Sequence, residues 1–113
     1  MSIFEQLGLH SMLLRDELRM TRYREAIARA VKPGDIVLDA GCGSGILSFF
    51  CCQAGAAKVY AVDRGSIVSV SEQISQQNDF SDRVQFIRDD LRNIDLPEPV
   101  DVIVSELIAK AFL

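Results

Sequence analysis

Short apolar runs alternate along this chain with stretches in which apolar residues recur every three or four positions. In residues 11–31, Leu14, Leu18, Ile27 and Val31 fall near helical spacing, with charges between them. That pattern predicts an amphipathic helix with Ser11 at its N-cap. Pro33-Gly34-Asp35 breaks it and makes a turn. Ile36-Val37-Leu38, closing at Asp39, has the unbroken apolar character of a strand buried on both faces, the habit of parallel sheets. Gly41-Cys42-Gly43-Ser44-Gly45 follows as a loop, and residues 46–54 read as a helix ended by Gly55. Residues 58–63 form the second predicted strand, 67–77 the next helix, 83–87 the third strand and 100–104 the fourth. Between the last two, residues 92–96 have room for a single helical turn. Strands and helices in alternation predict an α/β sheet with right-handed parallel crossovers behind a leading helix.

The 113 residues suffice for one small domain. A hydrophobic share of 49% and a charged share of 25% exclude a disordered segment and a disulfide-dense miniprotein. The net charge of -4 makes a general nucleic-acid binder unlikely, because phosphate recognition needs a basic face. Charge is unevenly placed, with six basic and four acidic residues up to Lys32, then six basic and twelve acidic. The first part reads as a solvated helix face, the acidic remainder as weakly favouring a cationic substrate. We therefore divide the chain into a helical segment, 1–32, and a sheet-forming part, 33–113. The longest apolar runs fall short of a membrane span, and the N-terminus lacks the pattern of a signal peptide. Cys51 and Cys52 are neighbours, which bridge only with strain, and with His10 as the single histidine no metal-ligand spacing appears. Free thiols in a cytoplasmic, reducing compartment are the expectation, with Cys42, Cys51 and Cys52 as fillers rather than nucleophiles.

The candidate chemistry lies at the strand ends. A glycine loop between a strand and a helix places backbone N–H groups and a helix N-terminus above the sheet edge. Dinucleotide sites use G-x-G-x-x-G; this chain has Gly41-x-Gly43-x-Gly45, with Asp39 two residues ahead. A carboxylate there repels a pyrophosphate and suits a ligand that carries an ammonium. S-adenosylmethionine carries one, along with a sulfonium and no phosphate. Asp63, at the end of the second strand, suits two ribose hydroxyls. Asp90, in the loop after the third strand, is placed for an adenine amino group, and the N–H of Leu91 for a ring nitrogen.

These residues resemble class I S-adenosylmethionine-dependent methyltransferases. Val37-Leu38-Asp39-Ala40-Gly41-Cys42-Gly43-Ser44-Gly45-Ile46-Leu47-Ser48 is similar to that family's first motif. Within the class, the protein arginine methyltransferase branch and its bacterial relatives match best. His10-Ser11-Met12-Leu13-Leu14-Arg15-Asp16-Glu17-Leu18-Arg19, then Tyr23, resembles the branch's leading helix. Ala54-Gly55-Ala56-Ala57-Lys58-Val59-Tyr60-Ala61-Val62-Asp63 resembles its approach to the ribose. Val100-Asp101-Val102-Ile103-Val104-Ser105-Glu106 resembles the strand that delivers the first glutamate of its double-Glu loop.

The resemblance implies a Rossmann-like sheet with parallel strands in the order 3-2-1-4, ending after the fourth strand where the family continues. It implies that Arg19 pairs with the cofactor carboxylate while His10 and Leu13 close over the cofactor. Gly41 and Gly43 would admit it closely, with Asp39, Asp63, Arg64, Asp90 and Leu91 around it. Glu106 would be the catalytic residue, holding a guanidinium of a protein substrate and favouring the charge that develops on it. The chain departs from the branch at Asp63, usually Glu, at Arg92, where a Glu near the adenine is usual, and at Leu107-Ile108-Ala109, usually Trp-Met-Gly. Two alternatives stay open: another acceptor, such as a small molecule or a different protein side chain, and a non-catalytic cofactor-binding fragment. The fourth strand, left as an edge, is expected to promote self-association.

Overall fold

The computed structural model describes residues 17–105. Helix α1 spans Glu17–Ala30, with Glu17 in its first turn and Arg29 in its last, each matched to the helix dipole. Its Ile27, together with Val31, is buried, and Met20 and Tyr23 pack alongside. The proposed N-cap, Ser11, lies outside the described residues. The turn after α1 is held by its own polar groups: the Lys32 N–H donates to Asp35 Oδ2 at 2.8 Å. The Gly34 N–H donates to the Gly55 carbonyl at 2.9 Å.

Strand β1, Ile36–Ala40, leads through the glycine loop to helix α2, Ile46–Gln53. Strand β2, Lys58–Asp63, leads to helix α3, Ile67–Gln77, and strand β3, Val84–Arg88, follows. One 3-10 turn, Leu91–Asn93, precedes strand β4, Val102–Ser105. The strands are all parallel, in the order β3-β2-β1-β4. That is the predicted order 3-2-1-4.

Two strand starts move, for visible reasons. β3 starts at Val84 because the Arg83 N–H donates to Phe80 and its guanidinium reaches the Ala56 carbonyl at 3.3 Å, holding Arg83 in the turn. β4 starts at Val102 because Asp101 is spent on β1. Its N–H donates to the Ile36 carbonyl at 2.7 Å, while its Oδ2 accepts the Ile36 N–H at 2.8 Å.

Alternation along the strands separates two apolar faces. On one, Val37, Val59, Ala61 and Val84 meet Leu47, Phe50, Cys51 and Cys52 of α2, with Ile27 and Phe80. On the other, Leu38, Ala40, Tyr60 and Val62 are covered by Leu91, Ile94, Leu96 and Val100 of the segment before β4. That second cover is incomplete, since Ile103 is 64% exposed. α2 ends where Gly55, at φ 106°, returns its N–H to Cys52 at 3.1 Å, and Ala56 returns its own to Cys51 at 3.0 Å. The backbone angle calls for glycine at 55, and a side chain there would also crowd the Pro33 backbone at 3.1 Å.

Candidate functional site

Because β1, β2 and β3 run parallel, their C-terminal ends deliver their loops to one edge of the sheet. Open α/β sheets bind ligands there. The loop leaving β1 folds on three glycines, with φ of 76° at Gly41, 50° at Gly43 and 86° at Gly45. At Gly43 an added Cβ would meet nothing within 4 Å, so the backbone angle, not crowding, calls for glycine there.

Four of the loop's N–H groups are committed within the protein, where the sequence reading has them face a ligand. Those of Gly41 and Cys42 both donate to the Val62 carbonyl, at 2.8 and 2.9 Å, and that of Gly45 to the Cys42 carbonyl at 2.8 Å. The Gly43 N–H donates to Asp63 Oδ2 at 3.0 Å. The carbonyl of Gly43 accepts the Ser71 hydroxyl from α3. The other Asp63 oxygen, Oδ1, accepts the Gly65 N–H at 2.8 Å. A carboxylate offers about four lone-pair sites, so roughly two remain for a ligand.

Asp90 caps the 3-10 turn, with Oδ1 accepting the Arg92 N–H at 2.9 Å. The Arg92 guanidinium then wraps the carboxylate, its Nη2 donating to Oδ2 at 2.7 Å. Those hydrogen bonds, helped by the nearby Arg64 charge, hold the Asp90 carboxyl well below the usual range. A cleft of about 360 Å³ joins these pieces: Gly41, Asp63, Arg64, Asp90 and Leu91 line it, with Val62, Asp89 and Arg92. Five residues singled out from the sequence thus share one wall.

Asp39 does not join them. It is 0% exposed and sits beneath α2, where its Oδ2 accepts the Ser48 hydroxyl at 2.7 Å. Its parity with Val37 turns its side chain to the helix-covered face, while the sequence reading has it meet an ammonium. Arg19 lies on the exposed side of α1, its guanidinium 5.6 Å from the Tyr23 ring centroid and outside the cleft lining. His10, Leu13 and Glu106 lie outside the described residues. Burial, with the Asp39 and Asp63 charges behind it, pushes the Cys42 thiol up to about 12, so it stays protonated at neutral pH.

Sequence reasoning missed Ser48, Ser71 and the Arg92 clamp. Ser71 carries a visible signal: Val68, Ser71 and Ser75 recur on the buried face of α3, which places hydroxyls inside the fold, and that of Ser71 finds the loop.

A parallel sheet in this order, with a glycine loop and a carboxylate-lined cleft at its strand ends, defines a nucleotide-cofactor domain of the methyltransferase type. Over residues 23–113 the chain matches the family model described as Ribosomal protein L11 methyltransferase (PrmA). It is 42% identical over 112 residues to Protein arginine N-methyltransferase 6 of Danio rerio, covering 97% of this chain and 32% of the relative. It is 46% identical over 102 residues to Protein arginine N-methyltransferase 1 of Schizosaccharomyces pombe, covering 88% and 30%. The Trypanosoma brucei PRMT1 enzyme–prozyme heterotetrameric complex with AdoHcy superposes with a TM-score of 0.79 at 41% identity, over 88% of this chain and 32% of that one. The Arabidopsis thaliana protein arginine methyltransferase 10 superposes with a TM-score of 0.78 at 36% identity, over 93% and 30%. The chain belongs to the methyltransferase family described by that model, and it is similar over most of its length to protein arginine N-methyltransferases. It spans about a third of the length of these relatives.

Proposed function

We propose that this chain binds S-adenosylmethionine in the cleft at the ends of β1, β2 and β3 and forms the cofactor-binding part of a protein arginine methyltransferase. The observation that carries this reading is the cleft itself. Its 360 Å³ are bounded by Gly41, Asp63, Arg64, Asp90 and Leu91. The lining suits a ligand rich in hydroxyls, because the N–H groups of Gly41, Cys42, Gly43 and Gly45 are committed within the protein while the Asp63 carboxylate borders the cleft.

Asp63 would hold the ribose hydroxyls with its remaining lone pairs. Leu91 would cover the base, and the Leu91 N–H would meet a ring nitrogen. Asp90, already clamped by Arg92, would shape the base pocket with its backbone and contribute acceptor strength only at its rim. Bound there, S-adenosylmethionine supplies an electrophilic methyl on a good leaving group. The protein's contribution is therefore positioning and exclusion of water. Glu106, one residue beyond β4, is proposed to hold the arginine guanidinium.

The exposed outer edge of β4 and Ile103 beside it support a second proposal, that copies of this chain associate there. The three buried thiols suit a cytoplasmic, reducing location, which we also propose. Calorimetric titration with S-adenosylmethionine, run beside transfer of a labelled methyl to arginine peptides and to small amines, tests the main reading. Binding is expected, with any transfer confined to arginine peptides; binding without transfer marks a cofactor-binding part that does not act alone. Transfer to small amines alone would replace the acceptor, and absence of binding would overturn the cleft assignment.

A further inference from the structure

We propose that Ser71 is a positioning residue that sets the glycine loop for the cofactor, an inference resting on the cofactor assignment above. The Gly43 peptide is gripped from two sides. Asp63 takes its N–H at 3.0 Å, and Ser71 donates its hydroxyl to its carbonyl. These two grips come from different elements, the end of β2 and the buried face of α3. Together they fix the residue at φ 50°, with open space where a side chain would be. Glycine has more backbone freedom to lose than any other residue, so an unbraced loop has to be ordered when the ligand arrives. Bracing it beforehand shifts that cost from binding to folding.

The chemistry of the hydroxyl suits this work. Ser71 is 1% exposed, so its hydroxyl needs a protein partner. It has a single hydrogen and two acceptors within reach: the Gly43 carbonyl, and the Ile67 carbonyl one turn back at 3.0 Å. A serine inside a helix ordinarily donates to the carbonyl four residues back. Here the loop carbonyl of Gly43 offers the same hydroxyl a second acceptor, on a different element. If the loop shifts as ligand enters or leaves, the hydroxyl returns to Ile67 and no buried donor is stranded. An alanine at 71 keeps a good helix former there and removes both hydroxyl bonds, the one to the Gly43 carbonyl and the one to Ile67. A threonine keeps the hydroxyl, and its extra methyl has room in the apolar cavity of about 170 Å³ between α2, α3 and β3 that Ser71 lines.

The test uses the full chain, with Ser71→Ala and Ser71→Thr, titrated calorimetrically with S-adenosylhomocysteine, and with amide hydrogen exchange read at Gly43. The expected result for Ser71→Ala is roughly 3–10-fold weaker binding, the size of one hydroxyl hydrogen bond. Faster exchange at Gly43 accompanies it, and Ser71→Thr restores both. Wild-type affinity in Ser71→Ala would overturn the proposal. So would equal losses in both variants with a common fall in melting temperature, which is the mark of a packing role. Should wild type itself fail to bind, the cofactor assignment falls, and exchange at Gly43 still decides whether Ser71 braces the loop. Ser71→Cys, which replaces the oxygen by a weaker donor, gives the same ordering if the alanine variant does not fold.

Discussion

Replacing Asp63 by alanine removes one carboxylate that serves both fold and cleft, and the two losses can be measured apart. In the protein the carboxylate accepts the Gly43 N–H at 3.0 Å and the Gly65 N–H at 2.8 Å. A hydrogen bond to a charged group contributes about 1.5–3 kcal/mol, and water reaching the half-buried cleft recovers part of it, so we expect a combined loss of roughly 2–3 kcal/mol. In a domain of this size that lowers the melting temperature by roughly 10–20 °C. Affinity for S-adenosylhomocysteine falls further, because two ribose hydroxyls lose a charged acceptor, by roughly 30–1,000-fold. Asp63→Asn keeps one acceptor oxygen and is expected to fall between. Asp63→Glu keeps both oxygens, one methylene further out, and is expected to bind within roughly 10-fold of wild type. Thermal denaturation and calorimetric titration of the three variants give the two scales. An alanine variant that melts lower but binds ligand as wild type does would show that the ribose lies elsewhere, and the cleft assignment would fail.

Ser48→Ala withdraws the hydroxyl that meets the buried Asp39 carboxylate at 2.7 Å, and is expected to cost about 1.5–3 kcal/mol in urea denaturation; an unchanged midpoint would remove Asp39–Ser48 from the fold's supports. Burial raises the thiols of Cys42 and Cys51 from 9.0 to about 12 in the folded state. Because the raised pKa favours the protonated folded form, its stabilising contribution is complete below pH 9 and is lost as the pH climbs toward 12. Thiol titration at pH 8 should accordingly find none of the three cysteines in the native chain and all three after denaturation; rapid native reaction would refute their burial. Ile103→Asp, at a side chain 64% exposed beside the β4 edge, is expected to leave the melting temperature nearly unchanged and to reduce self-association in sedimentation velocity; identical profiles would sink the edge proposal.

Element types were legible because the apolar runs are short, β-branched and separated by glycine and proline, which leaves little competition between helix and strand; the strand order came only with the resemblance to class I methyltransferases. Boundaries were less so, since they depend on distant partners. Nothing near Arg83 in the sequence announces that its guanidinium will bind the carbonyl of Ala56, nor does Asp101 advertise its two bonds to Ile36. Asp39 shows the opposite case. The alternation that places Val37 on the helix-covered face places Asp39 there too, so its burial was available from strand parity alone. Its position beside a glycine loop gave the competing reading, that of a carboxylate facing the ligand. Ser71 lies 28 residues beyond Gly43, a separation over which a local pattern carries no information about pairing.

The loop's hydrogen-bond balance also separates this site from a phosphate cradle, and it does so more sharply than the glycine spacing can. An anion is held by converging N–H groups and by the positive end of a helix. Here the N–H groups of Gly41, Cys42, Gly43 and Gly45 are committed to Val62, Asp63 and Cys42, and a carboxylate borders the cleft beside them. A pyrophosphate would have to displace those bonds and then sit against Asp63. A ligand that offers hydroxyls to Asp63 meets neither obstacle. Because Asp63 spends its charge on Gly43 and Gly65 as well as on the cleft, the loop and the ribose acceptor are set by one group. A change that loosens the loop should therefore weaken ligand binding even where it touches no ligand atom.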